Sequence, residues 1–402
     1  MTQPFDPFEP GFAEWPYTQY ARLRAAEPVH WSKLLCGWLL TSFDDVTAVL
    51  RDHSVSSSLD GAAPSPVVDS LRERQANGTG VGMTLVLRDD PDHARIRKAL
   101  QAPFTARSIG QLRQSIERRV DDAVSLLAER DEIELIADLA YPLPVSVFCE
   151  MLGIPEEEGP RFRRWTAAVA QTLDFVVSDE TNAYCMEQIA EMEAYVGEIA
   201  EEKRRHPADD VLTQLVQAEV DGERLSPDEL VAQLVTLYVA GHEPTTALIG
   251  NGMAALLAHP DQLRHLQTHP EAIPDAVQEL LRYDGPNQFL RRTLVEPTTL
   301  GGHTLEAGEV LYLGIGAANH DPAQWGADAD SLRVDRPDAS QHVQFGGGVH
   351  HCLGAHLARL QAEVVFTALL TRLGRLEPAG PVTWSGRMTL RSTTSVPLRL
   401  HL

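Results

Sequence analysis

A mainly α fold with small peripheral β-sheets is predicted by three observations. Apolar residues recur at three- and four-residue spacing through Ser108–Leu127, Asn182–Ile199 and Asp275–Leu281, the period of a helix with one buried face. A further helix is marked at both ends: Ser226-Pro227-Asp228-Glu229 forms a capping box with proline at the first helical position, and His259-Pro260 stops the apolar pattern. Short β-like runs are confined to Val29–Thr41, the stretch around Thr298–Tyr312, and Thr389–Leu402, and no internal repeat is present.

The elements follow in order. The 402 residues, 43% hydrophobic and 23% charged, have ordinary globular composition and exceed the usual length of one domain. No linker divides them. The Pro/Gly/Ser-rich stretch Val55–Gly82 leaves too little chain before it for an independent core, so it reads as a long loop lining a binding site within a single domain, 1–402. Leu225 can staple onto Leu230, starting a helix of roughly 50 Å at 1.5 Å per residue. At its midpoint lies Ala240-Gly241-His242-Glu243-Pro244-Thr245-Thr246, where the glycine and proline are expected to break its regularity. A helix-like segment, Leu353–Thr371, follows Cys352.

Bulk properties exclude several functions. No run of about 18 apolar residues occurs, and Met1–Tyr17 is acidic, proline-rich and aromatic, so neither a membrane anchor nor a secretory signal is expected. Four widely spaced cysteines (Cys36, Cys149, Cys185, Cys352) suggest neither a disulfide framework nor a CxxC metal site, which points to a reduced, cytoplasmic protein. A net charge of −23 argues against nucleic acid or anionic membrane as partner.

The richest stretch is Phe345-Gly346-Gly347-Gly348-Val349-His350-His351-Cys352-Leu353-Gly354. Backbone N–H groups at a helix start, with the positive end of its dipole, favour a thiolate at Cys352. Gly346 and Gly348 let a flat ligand approach the backbone, and Phe345 can shield the sulfur from water. Zinc does not fit: His350, His351 and Cys352 are adjacent and cannot all face one tetrahedral ion, and no second cluster adds a ligand. The pattern F-G-x-G-x-H-x-C-x-G closely matches the haem-thiolate signature, and on these residues the chain resembles a bacterial, actinomycete-type class I cytochrome P450.

That resemblance implies haem b with an axial cysteine thiolate, O2 as oxidant, and electrons from NAD(P)H through a ferredoxin and its reductase. It implies a cytochrome P450 fold with Cys352 as the metal ligand. Glu279-x-x-Arg282 and Arg336 would form a buried network supporting the haem-side loop. His93, Arg97, Arg292 and His350 would hold the haem propionates, in keeping with the need for fixed cationic donors. In the family the long helix carries an acid–alcohol pair that delivers protons for oxygen activation. Here Ala240, Gly241 and Glu243 match, but the alcohol position is Pro244. Three routes remain open: Thr245, which points about 100° further round the helix, ordered water on the freed Ala240 carbonyl, or a substrate group.

Family topology puts the substrate roof in Val55–Val86 and Ala168–Glu180. The walls would include Thr236 and Val239, then Asn287, Gln288 and Phe289, and Ser392–Thr394 with Thr393 at their centre. Such a mixture suits a medium-sized substrate with several hydrogen-bonding groups. An aromatic cyclic dipeptide is the first expectation, by hydroxylation or oxidative coupling, ahead of a macrolide or other polyketide. The competing class is a catalytically silent haem-binding scaffold. Arg95, Arg97, Lys98, Arg107, Arg113, Arg118 and Arg119, against the single acid Glu117, would dock an acidic ferredoxin.

Overall fold

The protein is described by a computed structural model covering residues 5–77, 83–175 and 177–401. Helices dominate, as the periodicity predicts, and the expected segments extend to Ala106–Leu127, Asp179–Arg205 and Ile273–Asp284. The sheets are small. The largest orders Val29–Ser32, Gly37–Leu40, Val310–Gly314, Phe289–Leu294 and Val55–Ser56, antiparallel except for the pairing of Gly37–Leu40 with Val310–Gly314. The C-terminal strand Pro397–His401 lies between Arg375–Pro378 and Glu132–Glu134.

The long helix runs from Pro227 to Ala258. Its capping box is formed in both directions, Glu229 N–H donating to Ser226 Oγ at 3.1 Å and Ser226 N–H to Glu229 Oε2 at 2.9 Å. At about 1.5 Å per residue its 32 residues span about 48 Å. Both faces are buried over most of that length, so it is the spine of the core. It continues without interruption through Pro244, contrary to expectation: the buried turns on either side hold the helix although the Ala240 carbonyl loses its usual donor.

Two other boundaries differ from the sequence reading. Val55–Gly82 is not a plain loop, since Val55–Ser56 pairs with the Phe289–Leu294 strand and Pro66–Asn77 is a helix. The signal was present: Ser65 Oγ accepts from the Val68 N–H, and Pro66 occupies the first helical turn. Residues 78–82 of that stretch lie outside the described residues. The helix after Cys352 is Ala355–Arg372, beginning three residues beyond the sulfur rather than next to it.

Candidate functional site

The long helix has one accessible stripe in its middle. Thr236, Leu237, Ala240, Gly241, Glu243 and Pro244 are partly or wholly open, while the turns after them are buried. Their three- and four-residue spacing sets them on one side of the helix. Cys352 is likewise exposed, although burial is the largest influence on its thiol. Cys352 and Glu243 therefore face internal space rather than bulk solvent.

The cysteine loop is built tightly. Gly346 and Gly348 have φ of +67° and +60°, a region that disfavours any side chain. A Cβ on Gly348 would also meet the Leu50 carbonyl at 2.5 Å. The Cys352 N–H donates to the Phe345 carbonyl at 2.9 Å and closes the loop. Burial pushes the Cys352 thiol up, while the Gly354 N–H, Arg359 and Arg97 pull it down; the balance is upward. The Gly354 N–H, just ahead of the helix that starts at Ala355, is among the groups that favour the thiolate, and a bound metal cation would favour it further. Arg359 stacks over Phe345, 4.4 Å from the ring centre.

The four expected propionate donors come together. The His93 and His350 rings lie 4.2 Å apart, Arg292 acts on His350, and Arg97 Nη2 donates to the His351 carbonyl at 2.9 Å. Burial, then the positive fields of Arg292 and His93, lowers His350 to about 3, so its ring is neutral. His93 is 2% exposed and its Nε2 has no partner. Among the described residues neither Arg97 nor Arg292 forms an ion pair. An orphaned donor beside two unpaired guanidiniums fits a flat, dianionic group, as haem is.

The Glu279 network is present as expected. Arg282 grips Glu279 through Nε and Nη2 at 2.7 and 2.8 Å, and Arg336 Nε reaches the same carboxylate at 3.3 Å. The Arg282 nitrogens also donate to the carbonyls of Asn319, Ala329 and Ser331. Glu279 and Arg282 are fully buried, so the group survives only because its charges and donors are matched.

The middle of the long helix holds a feature missed in the sequence. Arg387, from the turn after Thr383–Trp384, donates through Nη2 to Glu243 Oε2 at 3.0 Å and to Ser392 Oγ at 2.9 Å. His242, fully buried, gives its Nδ1–H to the Tyr238 carbonyl at 2.7 Å and turns Nε2 towards Glu243, 3.6 Å away. Burial alone would push the Glu243 carboxyl up; His242 and Arg387 override it and bring it to about 2. Asp174 fixes the same turn by accepting from the Met388 and Thr389 N–H groups. Nothing in periodicity or spacing pairs residue 387 with residue 243. Gly241 leaves room for the Phe148 ring, which a Cβ would overlap. Thr245 is buried and donates its hydroxyl to the Gly241 carbonyl at 3.1 Å, so it is spent inside the helix.

Several expected wall residues lie elsewhere. Gln288 and Phe289 are in the core: Gln288 donates to Tyr17 Oη and the Gly285 carbonyl, and Phe289 packs edge-on against Phe5 and Tyr20. Asn287 is tied to Gln344 by three hydrogen bonds. Thr393 is packed against Gly250 and Asn251, about two turns beyond Pro244, and Val239 is buried. Position after Pro286 could not tell which strand face each residue would take. Thr236 does lie on the accessible stripe, and Val86 is 54% exposed.

Known proteins match this geometry. The sequence model of the cytochrome P450 family matches residues 40–379. The polyketide biosynthesis cytochrome P450 PksS of Bacillus subtilis is 33% identical over 406 residues, covering 98% of this chain and 98% of that protein. Mycinamicin IV hydroxylase/epoxidase of Micromonospora griseorubida is 37% identical, covering 94% of each. The solved structure of CxnD, a cytochrome P450 for C–S bond formation in chuangxinmycin biosynthesis, aligns with a TM-score of 0.87 at 31% identity, over 96% of this chain and 94% of that one. The chain belongs to the cytochrome P450 family. It is a haem-thiolate oxidoreductase that uses O2, a small-molecule substrate and electrons from redox partners. Among the described residues no helix is long and apolar enough to cross a membrane.

Proposed function

We propose that this cytochrome P450 oxidises a medium-sized, polar secondary metabolite and takes the protons for oxygen activation from water or substrate rather than from its own helix. The carrying observation is the state of Glu243: it is ion-paired to Arg387, held at about 2, and followed by a proline where an alcohol is expected. A carboxylate so far below neutrality does not exchange protons readily at working pH.

The 1–402 chain acts as one haem-thiolate domain in this reading. Cys352 is the axial ligand, and His93, Arg97, Arg292 and His350 hold the propionates. Phe345 screens the sulfur, Gly346 allows the close approach, and Glu279, Arg282 and Arg336 keep the loop in place. Bound haem supplies O2 activation. Ala240 and Pro244 bound the oxygen side, and the Ala240 carbonyl, freed by Pro244, is positioned to hold a water.

The names of PksS and mycinamicin IV hydroxylase support a polyketide substrate. That of CxnD supports bond-forming oxidation on the same fold. An aromatic cyclic dipeptide is the second reading, favoured by Pro244 alone, since removing hydrogens to join two carbons needs no oxygen in the product. A cytoplasmic ferredoxin is the proposed electron donor. Its docking patch is narrower than the sequence count implies: Arg95, Lys98, Arg113 and Arg119 are paired with Glu229, Asp221, Glu363 and Glu150, leaving exposed Arg107 and Arg118 prominent.

Incubation with ferredoxin, reductase, NADPH and a panel of polyketide lactones and aromatic cyclic dipeptides tests this. Gain of one oxygen marks hydroxylation, and loss of two hydrogens marks coupling. A normal reduced-CO spectrum with no turnover anywhere in the panel would overturn the proposed substrate classes.

A further inference from the structure

Arg359 follows Cys352 along the chain and stands on the second turn of the Ala355–Arg372 helix. Helical side chains lean towards the helix N-terminus, which brings its guanidinium back to the cysteine loop. There it stacks on Phe345, 4.4 Å from the ring centre, and its Nε donates to Gln278 Oε1 at 3.2 Å. The Phe345 carbonyl accepts the Cys352 N–H at 2.9 Å, so ring and sulfur belong to one closed loop. The Arg359 field lowers the Cys352 thiol, and the sulfur acts back on Arg359.

This cation has no counter-charge. Among the described residues Arg359 forms no ion pair, and its side-chain partner Gln278 is a neutral amide. Glu363, one turn further along the helix, is taken by Arg113 at 3.3 Å. His342 also meets Phe345, with ring centres 5.5 Å apart, and is neutral: burial, then the Arg359 field, brings it to about 3. Arg97 is the other cation that acts on the sulfur. In the reading proposed above it holds a haem propionate, which matches its charge, so Arg359 alone of the two stays uncompensated when haem is bound. A guanidinium remains charged at any working pH and keeps its place when stacked on an aromatic face.

We propose that Arg359, stacked on Phe345, raises the electron affinity of the bound haem by keeping an unmatched positive charge beside the Cys352 sulfur. An electron added at the iron makes the centre more negative, and a fixed cation nearby favours that state. The same charge draws density from the sulfur and favours its thiolate over its thiol. The proposal rests on Cys352 being the axial ligand, and it makes Arg359 a positioning residue that acts through the cysteine loop without touching substrate.

The test is a potentiometric titration of the haem-loaded protein against small-molecule mediators, with no ferredoxin present. Arg359→Gln should lower the equilibrium constant for one-electron reduction about tenfold, a fall of about 59 mV, with haem content and the thiolate-type reduced-CO band retained. Arg359→Lys keeps the charge without the planar stack and should stay within about threefold of native. An unchanged potential in Arg359→Gln overturns the proposal; slower reduction by ferredoxin alone would then assign the arginine to partner docking. A fall in Arg359→Lys as large as in Arg359→Gln overturns it too, because charge would not be the cause. Should Arg359→Gln take up no haem, Gln278→Leu decides. It frees the guanidinium to swing into solvent and should lower the constant about threefold, and no fall there overturns the proposal. Absence of the thiolate-type band in the native protein would instead sink the Cys352 reading, and the proposal with it.

Discussion

In the reading proposed above, the cysteine loop with its supporting network and the middle of the long helix are the two walls of one site, and they are built on opposite plans. Behind the loop, Glu279 is gripped by two arginines, and Arg282 also donates to three carbonyls. The loop itself is fixed by positive-φ glycines and by contact with Leu50. On the helix, a single exposed stripe carries one acid held by two side chains from separate positions, Arg387 and His242. The first region is over-determined, so change there should cost folding. The second has few ties, so change there should alter proton chemistry with the fold intact.

Glu279→Gln breaks this contrast most severely if it is wrong. The substitution leaves two buried guanidiniums facing a neutral amide, and losing one partner of a buried pair costs roughly 3–5 kcal/mol. The expected result is a large fall in the urea midpoint and little or no haem-loaded protein. Full haem content with an unchanged midpoint would show that the network is not what holds the loop.

Arg387→Gln addresses the other wall, with a smaller effect. Glu243 is depressed in the folded protein, so its stabilising contribution is present above its unfolded value and is lost as pH falls through about 2. Without Arg387, burial is opposed by His242 alone and the carboxyl should rise. Unfolding midpoints measured from about pH 5 to about pH 3 should fall in the native protein and fall less in the variant. Parallel curves would mean that Arg387 does not set the charge of Glu243.

The same division governs what could be read from the chain. The loop was legible because its chemistry is local: glycines, cysteine and the following helix lie within a few residues, and Glu279 and Arg282 share one helical turn. The long helix was legible from its capping box and its proline stop. Gln288 and Phe289 lie in the core because Tyr17, Phe5 and Tyr20 come from the distant N-terminal segment to cover them, a pairing that position after Pro286 does not reveal. Arg387 was missed for another reason. It meets Glu243 across 144 positions, and only the turn pinned by Asp174 brings them together. Close tertiary pairing of two ordinary surface-type residues leaves no trace in periodicity.

The smallest expected effect belongs to Pro244→Thr, and its smallness is the point. If Pro244 were a simple defect, restoring the alcohol would raise the fraction of NADPH that ends in product many-fold. In this structure the alcohol would stand beside a carboxylate that remains ionised between Arg387 and His242, with no proton to pass on. Coupling in Pro244→Thr should therefore change less than about threefold, a difference below about 1 kcal/mol. The double variant Pro244→Thr/Arg387→Gln should exceed the product of the single effects, because each change removes a block that the other leaves standing. A large gain from Pro244→Thr alone would show that the ion pair opens during turnover, and the lock on Glu243 would then belong only to the substrate-free protein.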